Sequence, residues 1–232
     1  MLTPVESISL AGDRAKQNDD ACGFTGVRGW VIDGATDLHG EPLTDTASDA
    51  SWIAHFANAC LHRAAHGRLS EAVREASGAA AARFHALLQG RGYEPWQSPI
   101  ASMLLIQERN GGVEGLDLGD CRMFALDADG ASYAVGGHDN AADDETALAA
   151  TQTDAHKPLL DRTQTIDMLR RMRAAMNRDG ARWTFGIDPA CAEHARAWTL
   201  TLRRPAHLLL MTDGFAALSD RYGAYDVGGQ VQ

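Results

Sequence analysis

Short apolar or alternating runs recur along the chain, each bounded by Gly, Asn or Asp. They are Arg28–Ile32, Ile100–Gln107, Val113–Leu118, Met123–Leu126, Ser132–Val135, Trp198–Leu202 and His207–Thr212, and their pattern is that of strands. Looser alternation over residues 4–10 (Val5, Ile8, Leu10) predicts an edge strand, and Cys22–Thr25 and Ala181–Ile187 read as further strand segments. Asn110-Gly111-Gly112 and Asp127-Ala128-Asp129-Gly130 predict hairpin turns. Elsewhere the apolar spacing changes to that of a helix. Trp52, Ile53, Phe56, Ala59, Cys60 and Ala64 predict a helix over 47–65, capped by Thr46 or Ser48 and ended by Gly67. Leu69, Val73, Ala76, Ala80, Phe84, Leu87 and Leu88 predict a second over 70–88, stopped by Gly90. Ile166, Leu169, Met172 and Met176 predict a third over 166–177, with Arg170, Arg171 and Arg173 read as a solvated face. Residues 136–157 read as loosely structured, and 216–232 as a short helix with a Gly-rich tail.

Helices therefore fall in blocks instead of alternating with strands. A doubly wound parallel sheet needs a helix after nearly every strand, and the block from 100 to 135 has none. The class predicted is α+β, with largely antiparallel sheets covered by helices.

With 232 residues and 45% hydrophobic content, the chain suffices for one large domain over 1–232. A net charge of −10 argues against nucleic acid as the partner. The cysteines Cys22, Cys60, Cys121 and Cys191 form no Cys-x-x-Cys pair, so neither a zinc site nor a redox motif is suggested. No signal-type leader and no membrane-length apolar run is present, and a reduced, cytoplasmic protein without membrane contact is expected.

Two of the strand runs end in Asp-Gly: Val31-Ile32-Asp33-Gly34 and Met211-Thr212-Asp213-Gly214. Taken singly, each is a turn signal. Two more acidic spots share the strand-end position, Asp19-Asp20 and Asp120. Carboxylates gathered at one sheet edge repel one another and have raised pKa values, which divalent cations relieve. Hard ions such as Mg²⁺ or Mn²⁺ suit oxygen ligands. Two such ions bridging a water lower its pKa and deliver hydroxide to a phosphorus centre. A guanidinium fork is then suited to the remaining phosphate oxygens, and Arg14 stands just before the Asp pair.

These residues carry a resemblance. Arg14…Asn18-Asp19-Asp20-Ala21, Val31-Ile32-Asp33-Gly34, Gly119-Asp120-Cys121-Arg122 and Leu209-Leu210-Met211-Thr212-Asp213-Gly214-Phe215 are similar, in order and spacing, to motifs of the PP2C (PPM) family. These are metal-dependent serine/threonine protein phosphatases, and the likeness is to the bacterial form. The resemblance implies an αββα sandwich of two mainly antiparallel sheets flanked by antiparallel helix pairs. It implies a binuclear Mg²⁺ or Mn²⁺ site with a weaker third ion. Asp33 would bridge two metals and the Gly34 carbonyl would bind one. Asp213 would hold the other, Asp20 or Asp19 the first, and Asp120 the third. Arg14 would bind phosphate, with Lys16 sharing that role. The activity implied is hydrolysis of phosphoserine and phosphothreonine monoesters by metal-bridged hydroxide. The catalytic pair would be Arg14 and Asp33, and the partners a phosphoprotein substrate and a cognate serine/threonine kinase or its targets. The chain is expected to be a monomer.

One part of the family pattern is not matched. The family closes with an Asp-Asn or Asp-Asp motif, whereas here 18 residues follow Gly214 and the nearest acids are Asp220 and Asp226. Asp139-Asn140 has the letters in the wrong place. The expectation is a C-terminally truncated domain. The alternative function is a catalytically impaired PP2C-like regulatory or binding module. His39 lies after the first Asp-Gly, where a general acid is conceivable, but a loop His reads first as a surface residue. The acidic piece from 138 to 154 falls where bacterial relatives carry a flap.

Overall fold

In the computed structural model of the chain, residues 2–11, 17–64, 67–109, 111–137, 159–220, 223–224 and 226–231 are described. The strand runs build two antiparallel sheets. The larger has the order β1 (Asp20–Phe24), β2 (Arg28–Gly34), β3 (Ile100–Arg109), β4 (Gly112–Leu118) and β8 (Arg196–Thr201), with β7 (Phe185–Gly186) paired to the start of β3. The smaller has the order β6 (Ser132–Gly136), β5 (Arg122–Leu126), β9 (His207–Met211).

Strand alternation divides the core into layers. From β2, Trp30 and Ile32 enter a cluster with Met103 and Leu105 beneath α1 (Asp49–Arg63) and α2 (Leu69–Leu88). Val31 faces the other way, into a cluster with Leu104, Ile106, Met123 and Ala125 that glues the two sheets together. The outer face of the small sheet packs Phe124 and Met211 against Ala216 of α5 (Asp213–Asp220) and against Val227 and Val231 of α6 (Val227–Val231). The layers thus run helix, sheet, sheet, helix, as expected for an αββα sandwich. Among the described residues no helix is long and apolar enough to cross a membrane.

Local chemistry explains the ends. Ser48 caps α1, its Oγ accepting from Ser51 N at 2.9 Å. The α2 helix closes with Gln89 and then Gly90 in the left-handed region. The predicted turn at Asp127 forms, Oδ1 accepting from the backbone of Asp129 and Ala131.

Three expectations need correction. Residues 4–10 form no strand: Val5, Ile8 and Leu10 are strongly exposed, so the alternation has no apolar surface to meet. The strand expected over 181–187 shrinks to Phe185–Gly186, and the short α4 (Cys191–His194) follows it. The arginines of α3 (Thr163–Ala175) are not a solvated face throughout. Arg170 and Arg173 both bind backbone carbonyls, while Arg171 is exposed.

Candidate active site

Strand register builds the site. In the β1–β2 ladder Asp20 stands directly opposite Asp33, and in the β2–β3 ladder Asp33 stands opposite Ser102. By alternation these positions share the face of Cys22, Val31 and Leu104, which looks toward the small sheet. The fourth strand of this row, β4, ends at Leu118, and Gly119 turns the chain at φ +86°. Glycine is required there on two counts. The conformation is left-handed, and a Cβ would lie 2.2 Å from Ser102 Oγ. The turn delivers Asp120, whose Oδ1 accepts from Ser102 Oγ at 2.6 Å. Asp213 arrives from the other sheet, in the first turn of α5 just past β9.

The four carboxyl groups converge. Asp33 is within hydrogen-bonding reach of both Asp20 and Asp213 and feels the charge of Asp120. Burial pushes its carboxyl up to about 9, and the charges of Asp20, Asp213 and Asp120 push the same way. Burial also raises Asp20, opposed by the Thr212 hydroxyl, which donates to Asp20 Oδ2 at 3.3 Å, and by the hydrogen bond with Asp33. The thiol of Cys121 is raised well above its ordinary range, first by burial and then by all four carboxylates. A metal-free set of like charges at this density is frustrated. It is an all-oxygen donor set whose defect a hard divalent cation would remove, so these residues fit the ion that the motifs imply.

The remaining predicted residues are placed as follows. Asp19 does not share the Asp20 position. Its Oδ1 accepts from Ser48 Oγ at 2.6 Å, and its carbonyl accepts from Gly34 N at 3.0 Å, so it ties β1 to the start of α1. Gly34 is not a turn residue, because β2 runs through it and it pairs with Ala101. It is glycine because a Cβ would lie 2.3 Å from the carbonyl oxygen of Ala50 in α1. Gly214 lies inside α5, with open space where a Cβ would go. Arg14, Lys16, Asp139-Asn140 and the 138–154 piece lie outside the described residues. Asp226 Oδ1 accepts from Gly229 N at 2.6 Å at the start of α6.

A second acidic group lies in the loop between Gly34 and α1. Asp37, His39 and Asp49 bring ligand-type atoms within 4.8 Å of one another. Their oxygens are already engaged. Asp37 accepts from the backbone of Asp49 and Ala50. Asp49, 1% exposed, accepts from Leu43 N, Thr44 N, Thr44 Oγ1 and His39 Nε2. These bonds hold its carboxyl below the usual range against the opposing effect of burial. The group is a hub that fixes the loop and caps α1. His39 is therefore not the surface residue that its loop position suggests. It is partly buried, its side chain 9% exposed, with its ring edge-on to Trp96 at 6.0 Å.

Sequence reasoning missed the supporting hydroxyls Ser102 and Thr212, and it named Ser48 as a helix cap without its bond to Asp19. Ser102 is legible only from register, and Thr212 only once Asp213 is assigned. The carbonyl-binding arginines of α3 carry no sequence signal of their own.

Comparison with known proteins fits this arrangement. A search of curated proteins finds no match. Among solved structures, the chain is similar to the Mycobacterium tuberculosis serine/threonine phosphatase PstP/Ppp, with TM-score 0.58 and 14% identity over 93% of this chain and 80% of that one. It is similar to the PstP catalytic domain in complex with two manganese ions, with TM-score 0.53 and 15% identity over 97% and 85%. It is also similar to the PPM Ser-Thr phosphatase MsPP from Mycobacterium smegmatis, with TM-score 0.51 and 19% identity over 97% and 86%. At these identities the likeness is one of fold. The family model described as Protein phosphatase 2C matches residues 13–231, which takes in all four motifs, and the chain thus belongs to the PP2C family of metal-dependent serine/threonine protein phosphatases.

Proposed function

We propose that Asp20, Asp33, Asp213 and the Gly34 carbonyl hold two Mg²⁺ or Mn²⁺ ions, with Asp120 serving a third. The observation that carries this is the convergence of the four carboxyl groups, from both sheets, around the half-buried Asp33. The manganese ions of the PstP complex support the choice of metal. Two such ions, when bound, lower the pKa of a shared water and neutralise charge on a phosphoryl group.

The chain's own residues do the positioning. Asp33, at the centre, gives up its proton when the site is loaded, because a ligating carboxylate must be ionised. Thr212 fixes Asp20, and Ser102 fixes Asp120, each by one hydroxyl donor. Asp19 stays on Ser48, which favours Asp20 as the ligand of that pair. Arg14 is the proposed phosphate-binding residue, on the chemistry of its fork and its place in the motif.

The reaction is hydrolysis of phosphoserine and phosphothreonine monoesters in a protein substrate, which a cognate kinase would supply. The four cysteines are free, which supports a reducing, cytoplasmic setting. A net charge of −10 supports a monomer. The test is Mn²⁺-dependent turnover of an aryl phosphate against an Asp33→Ala control. Turnover equal to the control refutes the catalytic assignment. A calorimetric titration that finds no carboxylate-dependent metal site would favour the regulatory-module alternative.

A further inference from the structure

The loop from Ala35 to Ser48 joins the two elements that shape the site, β2 and α1. Its first residues are fixed from the sheet side. Gly34 N donates to Asp19 O and Ala35 N to Ile100 O, each at 3.0 Å. From the helix side, Asp37 binds the first N–H groups of α1. The outer side of the loop is met by α3, which lies 130 residues further along the chain. Arg170 donates from Nε at 3.0 Å and from Nη2 at 2.7 Å to the carbonyl of Leu38, and its guanidinium lies 4.3 Å from the ring centre of Trp96. Arg173 donates from Nη1 to the carbonyl of Thr36 at 2.8 Å. The forked pair of bonds from Arg170, stacked on an aromatic face, holds its carbonyl far more rigidly than a lysine point charge would, and Arg173 adds a single-donor anchor two residues before it. Only Ala35 separates the Thr36 anchor from Gly34.

We propose that Arg170 and Arg173 are positioning residues for the metal centre, acting through the backbone of Thr36 and Leu38 to fix Asp33 and the Gly34 carbonyl. This rests on the reading of Asp33 and Gly34 as metal ligands. The arginines touch no reacting atom. Their effect is to keep the strand end from relaxing away from Asp213 and Asp20, the movement that mutual repulsion of the carboxylates favours. A role confined to holding α3 on the body would leave metal affinity unchanged, so affinity separates the two roles.

The experiment compares the full chain with Arg170→Ala, Arg173→Ala, Arg173→Lys and Arg171→Ala. Mn²⁺ affinity is read by calorimetry, thermal unfolding in chelator, and turnover of an aryl phosphate as separate kcat and KM. Loss of either carbonyl anchor is expected to weaken Mn²⁺ binding about tenfold, the usual effect of removing a group that orients ligands. Arg173→Lys, which keeps one donor and the charge, is expected to recover part of that loss. Arg171→Ala, exposed on the same helix, is expected to match the parent. Mn²⁺ affinity unchanged in Arg170→Ala and Arg173→Ala, with only thermal stability lowered, overturns the proposal. If an alanine variant does not fold, Arg173→Lys carries the decision by the same two readouts. Binding of Mn²⁺ to the parent chain that survives Asp33→Asn is a different result, and it overturns the metal-site reading itself.

Discussion

Asp20 and Asp33 stand directly opposite each other in the β1–β2 ladder, two like-charged side chains on one face. Such a pair is destabilising in an ordinary sheet. Here it is reinforced by Asp213 from the neighbouring sheet. The pair is retained at the expense of the metal-free fold.

The first prediction follows from that strain. The Asp33 carboxyl titrates at 3.8 in the unfolded chain and at about 9 in the fold. Below both values each state carries the proton, and the fold keeps its full stability. Between them the fold binds more protons than the unfolded chain, so stability falls as pH rises and is lost through about 9. In chelator, the melting temperature is expected to drop steadily from pH 5.5 to 8.5. Asp33→Asn should flatten that slope and lose metal-dependent turnover. A slope of the opposite sign in the parent would contradict the assignment.

Metal binding should release a proton. At pH 7 the metal-free Asp33 is protonated, and a ligand must be ionised. Calorimetric titration with Mn²⁺ in two buffers of different ionisation enthalpy should therefore report release of about one proton near pH 7, falling to about half a proton near pH 9.

The two Asp-Gly pairs should behave differently under the same substitution. Gly34→Ala forces a Cβ to 2.3 Å from the backbone oxygen of Ala50 and is expected to cost about 1–3 kcal/mol. Gly214→Ala meets nothing within 4 Å inside a helix and is expected to be neutral, or stabilising by up to about 1 kcal/mol. Chemical denaturation of the two variants checks both signs.

Asp49→Ala removes a buried acceptor from Leu43 N, Thr44 N, Thr44 Oγ1 and His39. Leaving those donors unpaired should destabilise the fold by about 3 kcal/mol. In the parent, the lowered Asp49 pKa contributes stability above pH 3.8, the unfolded value, which is lost as pH falls through the folded one. The variant should therefore show a weaker acid limb in a stability–pH profile.

What the sequence made legible was the set of strand ends. Apolar runs stop at Asp33, Asp120 and Asp213, and their convergence needed only a sandwich that brings those ends together. Period alone could not separate Asp19 from Asp20, because adjacent positions on a strand face opposite ways and only register says which way is in. Nor could it tell the two glycines apart, since one is demanded by a helix backbone and the other by nothing nearby. The arginines of α3 looked solvated because an exposed helix face and a face laid on a loop have the same composition. Their partners are carbonyls, which every residue carries. The alternation at 4–10 was a pattern without a surface to bury it.

Asp20 and Asp33 belong to the large sheet, Asp120 sits on the three-residue link from β4 to β5 of the small sheet, and Asp213 follows β9, so beyond that one link the interval between the sheets is set by packing. That interval is gauged by the side chains sandwiched in the middle, Val31, Leu104, Ile106, Met123 and Ala125. The hydrocarbon filling acts as a spacer plate for the proposed metal centre. A single methylene added or shaved there, well away from any carboxylate, would shift the spacing between Asp213 and the carboxylates of the large sheet.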